Sequence, residues 1–82
     1  MGQDLINIAL IGLGRIGQMH GENLVLHTDF KLKYVFDLDK KLTNKIAKKF
    51  ASIGIEDPRV AFKDEEIDAI FIASSTSTHI RL

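Results

Sequence analysis

Residues 8–20 read IALIGLGRIGQMH, an apolar run leading straight into Gly12, Gly14 and Gly17. This feature constrains the fold more than any other. Residues 5–11, LINIALI, are almost wholly apolar, as in a parallel strand covered on both faces. Residues 15–27 contain no proline and continue as a helix, with Gly17, Gly21 and Leu24 on one side at helical spacing. Two glycines on that side would let the helix lie close against a sheet. A strand, a glycine turn and a helix together open a βαβ unit, so a second parallel strand must follow.

The following residues supply it. Thr28 and Asp29 break the helical pattern, and KLKYVFD at 31–37 carries the Tyr, Val and Phe that favour strand. Asp39 is placed as the N-cap of a second helix, whose Leu42, Ile46, Ala47 and Phe50 form one stripe with lysines facing out. Gly54 and Pro58 punctuate its end. RVAF at 59–62 suggests a short third strand, and DAIFIA at 68–73 a fourth, expected to be another continuous buried run. The polar SSTST then leads to residue 82, where a further helix would begin. Alternating strands and helices point to an incomplete doubly wound parallel α/β sheet, the first βαβαβ(β) half of an NAD(P)-binding Rossmann fold.

One link strains this reading. In strand order 3-2-1-4 the third and fourth strands lie about three spacings, or about 14 Å, apart. Residues 63–67 reach at most about 18 Å, leaving almost nothing for the return run along the strand. Either RVAF is not a regular strand, or a segment has been lost.

A GxGxxG alone is a weak signal; its context strengthens it. A strand precedes the glycines, a helix opens beside Gly14, and Asp37 lies 20 residues beyond Gly17 at the end of the next strand. Gly12 permits the tight turn, Gly14 admits a pyrophosphate to the backbone, and Gly17 allows close helix–strand packing. The helix's free N–H groups and positive dipole end would face the phosphates. Asp37 would accept hydrogen bonds from a ribose 2′-hydroxyl and repel the 2′-phosphate of NADP, which favours NAD. Lys40, Lys41, Lys45, Lys48 and Lys49 could attract such a phosphate, but lysines opposite an apolar stripe usually form a solvated face. The competing reading is a glycine turn without a ligand.

Composition excludes other classes. Eleven basic residues balance eleven acidic ones, unlike the footprint of a nucleic-acid binder. No cysteine is present, so disulfides, thiolate metal sites and cysteine nucleophiles are ruled out. His20 and His27 have neither cysteine partners nor an H-E-x-x-H arrangement, so no metal site is expected. No run approaches the length of a membrane span, the start lacks a signal peptide's positive region, and Ile6 stands where myristoylation of Gly2 wants Ser or Thr. A cytoplasmic protein is the default expectation. The 82 residues allow one small domain or a piece of a larger one.

IALIGLGRIGQMHGENL, VFDLD and IDAIFIASSTSTHIRL together resemble the Gfo/Idh/MocA family of oxidoreductases over nearly the whole chain, and within it the inositol-dehydrogenase-like members. The resemblance implies an NAD(P)-dependent dehydrogenase acting on a sugar, cyclitol or related polyol. It implies that Gly12, Gly14, Arg15, Ile16 and Gly17 contact the pyrophosphate and that Asp37 holds the adenosine ribose. Ser74, Ser75, Thr76 and His79 would lie near the nicotinamide half. Read alone, SSTST is a polar loop capping the next helix. No G-x-S-x-G surrounds Ser74 or Ser75, so a nucleophilic serine is unsupported.

The sequence also departs from the family. The catalytic lysine implied by the resemblance lies in a Glu-Lys-Pro motif after the next strand, and further acid–base groups lie in a C-terminal sheet domain. This chain contains no Glu-Lys-Pro, so no catalytic residue is assigned. Ser75 stands where the family commonly has a proline, which implies a less rigid turn. Residues 1–82 are thus expected to be a truncated N-terminal dinucleotide-binding domain without its substrate domain, able to bind cofactor without turnover. Its fourth strand would leave an apolar edge open to a complementing C-terminal chain or to self-association, which sedimentation as a stable monomer would refute. Two other readings compete: a stand-alone dinucleotide-sensing module, and an inert gene remnant.

Overall fold

In the computed structural model, residues 5–73 are described. Four parallel strands form one sheet in the order β3-β2-β1-β4: β1 Ile6–Ile11, β2 Phe30–Phe36, β3 Ile53–Gly54 and β4 Ala69–Ile72. Helices α1 Arg15–Leu26 and α2 Lys40–Phe50 pack on one face, and the short α3 Arg59–Lys63 lies on the other. This is the doubly wound Rossmann arrangement.

Alternation along β1 divides the core. Ile8 and Leu10 join Leu24, Leu32, Val35, Ile46 and Phe50 beneath α1 and α2, whereas Ala9 joins Tyr34, Ile55 and Ala61 beneath α3. All of these are buried, so the centre of β1, Ile8 to Leu10, is covered on both faces, as its apolar run requires. On α1, Gly17 packs against the turn itself, and Gly21 faces α2 rather than the sheet: a Cβ there would come within 2.5 Å of the Phe50 ring.

The structure corrects the third strand. RVAF is helical, within α3, and the third strand is the two-residue β3 paired with Tyr34 and Val35. Pro58 precedes α3 with a helical φ of −62°, and the Asp57 carboxylate accepts from the Arg59 N–H at 2.9 Å. Both devices favour starting a helix there. Ala61 alone is buried, against the sheet, while Val60 and Phe62 remain largely exposed. The strained link therefore disappears: residues 55–68 form the crossover from β3 to β4, long enough to pass over the sheet.

The end of α2 is corrected too. Asp39 caps Leu42 N–H as expected, but the helix stops at Ala51, in the left-handed region at φ 55°, and Gly54 belongs to β3. Ser52 N–H closes the end on the Ala47 carbonyl at 2.8 Å.

In β2 the register slips between Ile8 and Ala9, which pair with Leu32 and Tyr34 and leave Lys33 as an extra residue. The bulge lets adjacent residues reach one partner: Lys33 Nζ and Tyr34 Oη both lie 2.6 Å from Asp64 Oδ2, and Lys33 also meets Glu66 at 3.1 Å. This cluster ties β2 to the crossover. The lysine and tyrosine hydrogen bonds hold the Asp64 carboxyl down at about 2, and the hydrogen bond to Asp64, joined by Glu66 at the lysine, raises Lys33 and Tyr34 above their ordinary values. Among the described residues no helix is long and apolar enough to cross a membrane.

Candidate functional site

The strand ends of β1, β2 and β4 meet at the glycine turn. Gly12 N–H donates to the Phe36 carbonyl and Ala73 N–H to the Ile11 carbonyl, each at 2.8 Å. The crossover carrying α1 leaves β1 on one face, and the crossover carrying α3 reaches β4 on the other, so β1 and β4 flank the sheet's topological switch point. Ligands of open α/β sheets bind there, beyond the carboxyl ends of the strands. An open groove of about 430 Å³ occupies this position, lined by Ile11, Gly12, Gly14, Phe36, Asp37, Leu38 and Ala73.

The three glycines differ in what the fold asks of them. Gly12 has φ +97°, and a Cβ on it would strike the Ala73 carbonyl. A Cβ on Gly17 would strike the Gly12 carbonyl, lying 2.8 Å from its carbon, so α1 could not approach the turn. Gly14 is different: its φ of −68° and ψ of −167° suit any residue, and a Cβ there meets nothing within 4 Å. Packing does not require that glycine.

Gly14 is also the N-cap of α1, and no side chain among the described residues caps it. The first turn holds no acidic residue; its first position is the exposed Arg15. The other long helix, α2, has its N-terminus capped by Asp39. The start of α1 thus offers backbone N–H donors and a dipole end beside the exposed Arg15, with no capping side chain on them among the described residues.

Asp37 closes the other side of the groove. Its Oδ2 accepts from Leu13 N–H at 2.8 Å and its Oδ1 from Asp39 N–H at 2.9 Å. A carboxylate has about four acceptor positions, so capacity remains for a ligand hydroxyl. A smaller hollow of about 140 Å³ lies between α2 and β3, with Asp37, Lys40, Thr43 and Glu56 in its wall.

Of the residues expected at the site, Gly12, Gly14 and Asp37 line the groove, Arg15 and Ile16 are exposed on the first turn of α1, and Gly17 is buried beneath the turn. Ser74, Ser75, Thr76 and His79 lie outside the described residues. His20 packs edge-on against Phe71, with ring centroids 6.2 Å apart, and His27 packs on Phe30 at 5.1 Å. Several wall residues were not expected from the sequence, among them the strand-end Ile11 and Phe36. Leu38 is 91% exposed beside Asp37, Ala73 supplies the wall at the end of β4, and Thr43 lies under the β2 end. Only Leu38 carried a signal, as an apolar residue between two aspartates.

A glycine turn opening a helix at the switch point of a parallel sheet, with an aspartate ending the next strand, defines a dinucleotide-binding α/β domain. The chain belongs to the Gfo/Idh/MocA oxidoreductase family, described as having an NAD-binding Rossmann fold, whose profile matches residues 6–82. It is 36% identical over 81 residues to the myo-inositol 2-dehydrogenase of Thermotoga maritima, covering 94% of this chain and 23% of that protein. It is 38% identical over 79 residues to the scyllo-inositol 2-dehydrogenase (NAD(+)) of Bacillus subtilis, covering 90% of this chain and 22% of that protein. The crystal structure of a myo-inositol dehydrogenase from Corynebacterium glutamicum superposes with a TM-score of 0.78 at 30% identity, over 85% of this chain and 21% of that one. The chain therefore spans less than a quarter of the length of these relatives.

Proposed function

We propose that this chain is the NAD-holding part of a dehydrogenase acting on an inositol or a related polyol. The observation that carries the reading is the start of α1: an uncapped N-terminus beside Gly14, at which the protein's own packing needs no glycine. A pyrophosphate accounts for both features. It would accept from the first-turn N–H groups, pair with Arg15 and occupy the space that a side chain at position 14 would take. Asp37 would accept from the adenosine ribose, and exposed Leu38 offers an apolar surface for the flat adenine ring. NAD would supply hydride acceptance from a substrate carbinol carbon.

NAD is preferred to NADP in this reading because the Asp37 carboxylate lines the groove, where a 2′-phosphate would meet a like charge. The inositol-dehydrogenase relatives support the substrate class. Groups that take the substrate's proton are proposed to come from polypeptide beyond this chain, so the chain alone binds cofactor without turnover.

Calorimetric titration of NAD and of NADP into the purified chain tests the reading. Saturable NAD binding that weakens in Asp37→Ala, with weaker binding of NADP, is expected. A folded chain that binds neither would leave a structural glycine turn without a ligand. Tighter binding of NADP would sink the NAD assignment alone.

A further inference from the structure

Thr43 is the buried polar side chain of the described core, 4% exposed; it lines the smaller hollow between α2 and β3, which shares Asp37 with the cofactor groove. Its Oγ1 accepts from the Asp37 N–H at 3.0 Å and lies 3.0 Å from the carbonyl oxygens of both Asp37 and Asp39. The hydroxyl has one proton, so it serves one of these carbonyls at a time. It therefore grips the backbone of Asp37 at its amide and within reach of its carbonyl.

Asp37 passes this grip on. Its carboxylate holds the Leu13 N–H at 2.8 Å, in the middle of the glycine turn between Gly12 and Gly14. Leu13 itself is fully buried. A chain of hydrogen bonds thus runs from Thr43 through Asp37 to the turn.

Helix capping does not explain the hydroxyl. Asp39 already caps the Leu42 N–H, and Thr43 N–H already donates to the Asp39 carbonyl at 2.9 Å. Packing does not explain it either. The methyl group is what fills space, lying 3.1 Å from where a Cβ on Gly54 would be, and valine would keep that methyl.

We propose that Thr43 is a positioning residue for the dinucleotide site: its hydroxyl holds the end of β2 so that the Asp37 carboxylate sets the glycine turn while keeping acceptor capacity for the ribose. The proposal rests on the NAD reading above. It makes the pyrophosphate turn and the ribose acceptor one preorganised unit, so that loss of the hydroxyl loosens both.

The test compares Thr43→Val, which removes the hydroxyl at nearly constant shape, with Thr43→Ser, which keeps it. Two quantities are read: NAD affinity by calorimetry, and hydrogen exchange of the Leu13 amide by NMR. The valine variant is expected to bind NAD at least fivefold more weakly and to exchange the Leu13 amide at least tenfold faster. The serine variant should stay within twofold of wild type in both. If the valine variant does not fold, Thr43→Cys, with only a weak S–H donor, is expected to show intermediate losses in the same two readouts. A folded valine or cysteine variant with wild-type affinity and wild-type Leu13 protection would overturn the proposal, whatever its melting temperature. So would a serine variant that restores neither. Failure of the wild-type chain to bind NAD would overturn the cofactor reading and this proposal with it, whereas wild-type binding with an indifferent valine variant overturns this proposal alone.

Discussion

Replacing each glycine of the turn by alanine in turn should separate what the fold needs from what the ligand needs. At Gly14 the backbone already lies where alanine is at ease, and the added methyl meets no protein atom within 4 Å. Alanine is a poorer N-cap than glycine but has less freedom to lose on folding, and these effects offset to within about 1 kcal/mol. Binding should suffer instead. A methyl group wedged against an approaching phosphate costs about 1–3 kcal/mol, by analogy with overpacking in a core. At about 1.4 kcal/mol per decade, that is roughly a five- to 140-fold loss of NAD affinity. At Gly17 the balance reverses. Its methyl would run into the Gly12 backbone, and no side-chain rotation relieves a clash with a carbonyl. Moving α1 away costs about 3 kcal/mol or more, a drop of roughly 12–24 °C in melting temperature for a domain of this size. Thermal unfolding without ligand, followed by calorimetric NAD titration of the variants that fold, reads the two effects apart. Full NAD affinity in a folded Gly14→Ala chain would refute the argument that position 14 is kept open for a pyrophosphate. A Gly17→Ala chain as stable as wild type would refute the packing argument.

Two further predictions concern the scaffold. Ala51 holds a left-handed conformation at the end of α2, which costs a non-glycine residue about 1–2 kcal/mol. Glycine gives back about 0.5–1 kcal/mol as extra chain entropy, so Ala51→Gly should stabilise the domain by up to about 1 kcal/mol in urea unfolding; a loss of stability would contradict it. Asp64 has its folded pKa depressed to about 2, below its unfolded value, by Lys33 and Tyr34. Its contribution is therefore present above about pH 4 and lost as pH falls towards 2. Asp64→Asn should lower stability at neutral pH and flatten the pH dependence across that window, and an unchanged acid profile would refute the role given to the cluster.

Local spacing made much of the fold legible. The strands at LINIALI and DAIFIA, the stripe on α2 and the Asp39 cap each depend on residues within a turn or two of one another, and each element forms where its pattern implied. Burial falls short of the pattern: β4 is only half-buried, with Phe71 39% exposed, and β1 is buried only at Ile8, Ala9 and Leu10. The crowding between residues 59–62 and 68–73 also signalled that something was wrong with the third strand. It did not show that RVAF was the helix, because a short apolar run fits either period. The two-residue β3 has no pattern of its own. Both residues are exposed, and only the backbone of Tyr34 and Val35 makes them a strand.

The candidate site divides in the same way. Gly12, Gly14, Gly17 and Asp37 were identifiable because the geometry of a dinucleotide turn imposes their spacing along the chain. That Gly17 serves the fold while Gly14 does not depends on where α1 comes to rest against the Gly12 carbonyl. The bond from Asp37 to Leu13 spans 24 positions and the Lys33–Asp64 contact 31, and both depend on how strands pair and where β2 bulges. The sequence by itself determined the strand–turn–helix order and the chemistry offered at the strand ends, since both follow from short-range sterics and hydrogen bonding. Only the tertiary structure decided which groups brace one another across the turn, because a hydrogen bond needs its donor and acceptor within about 3 Å, and chain separation alone does not set that distance.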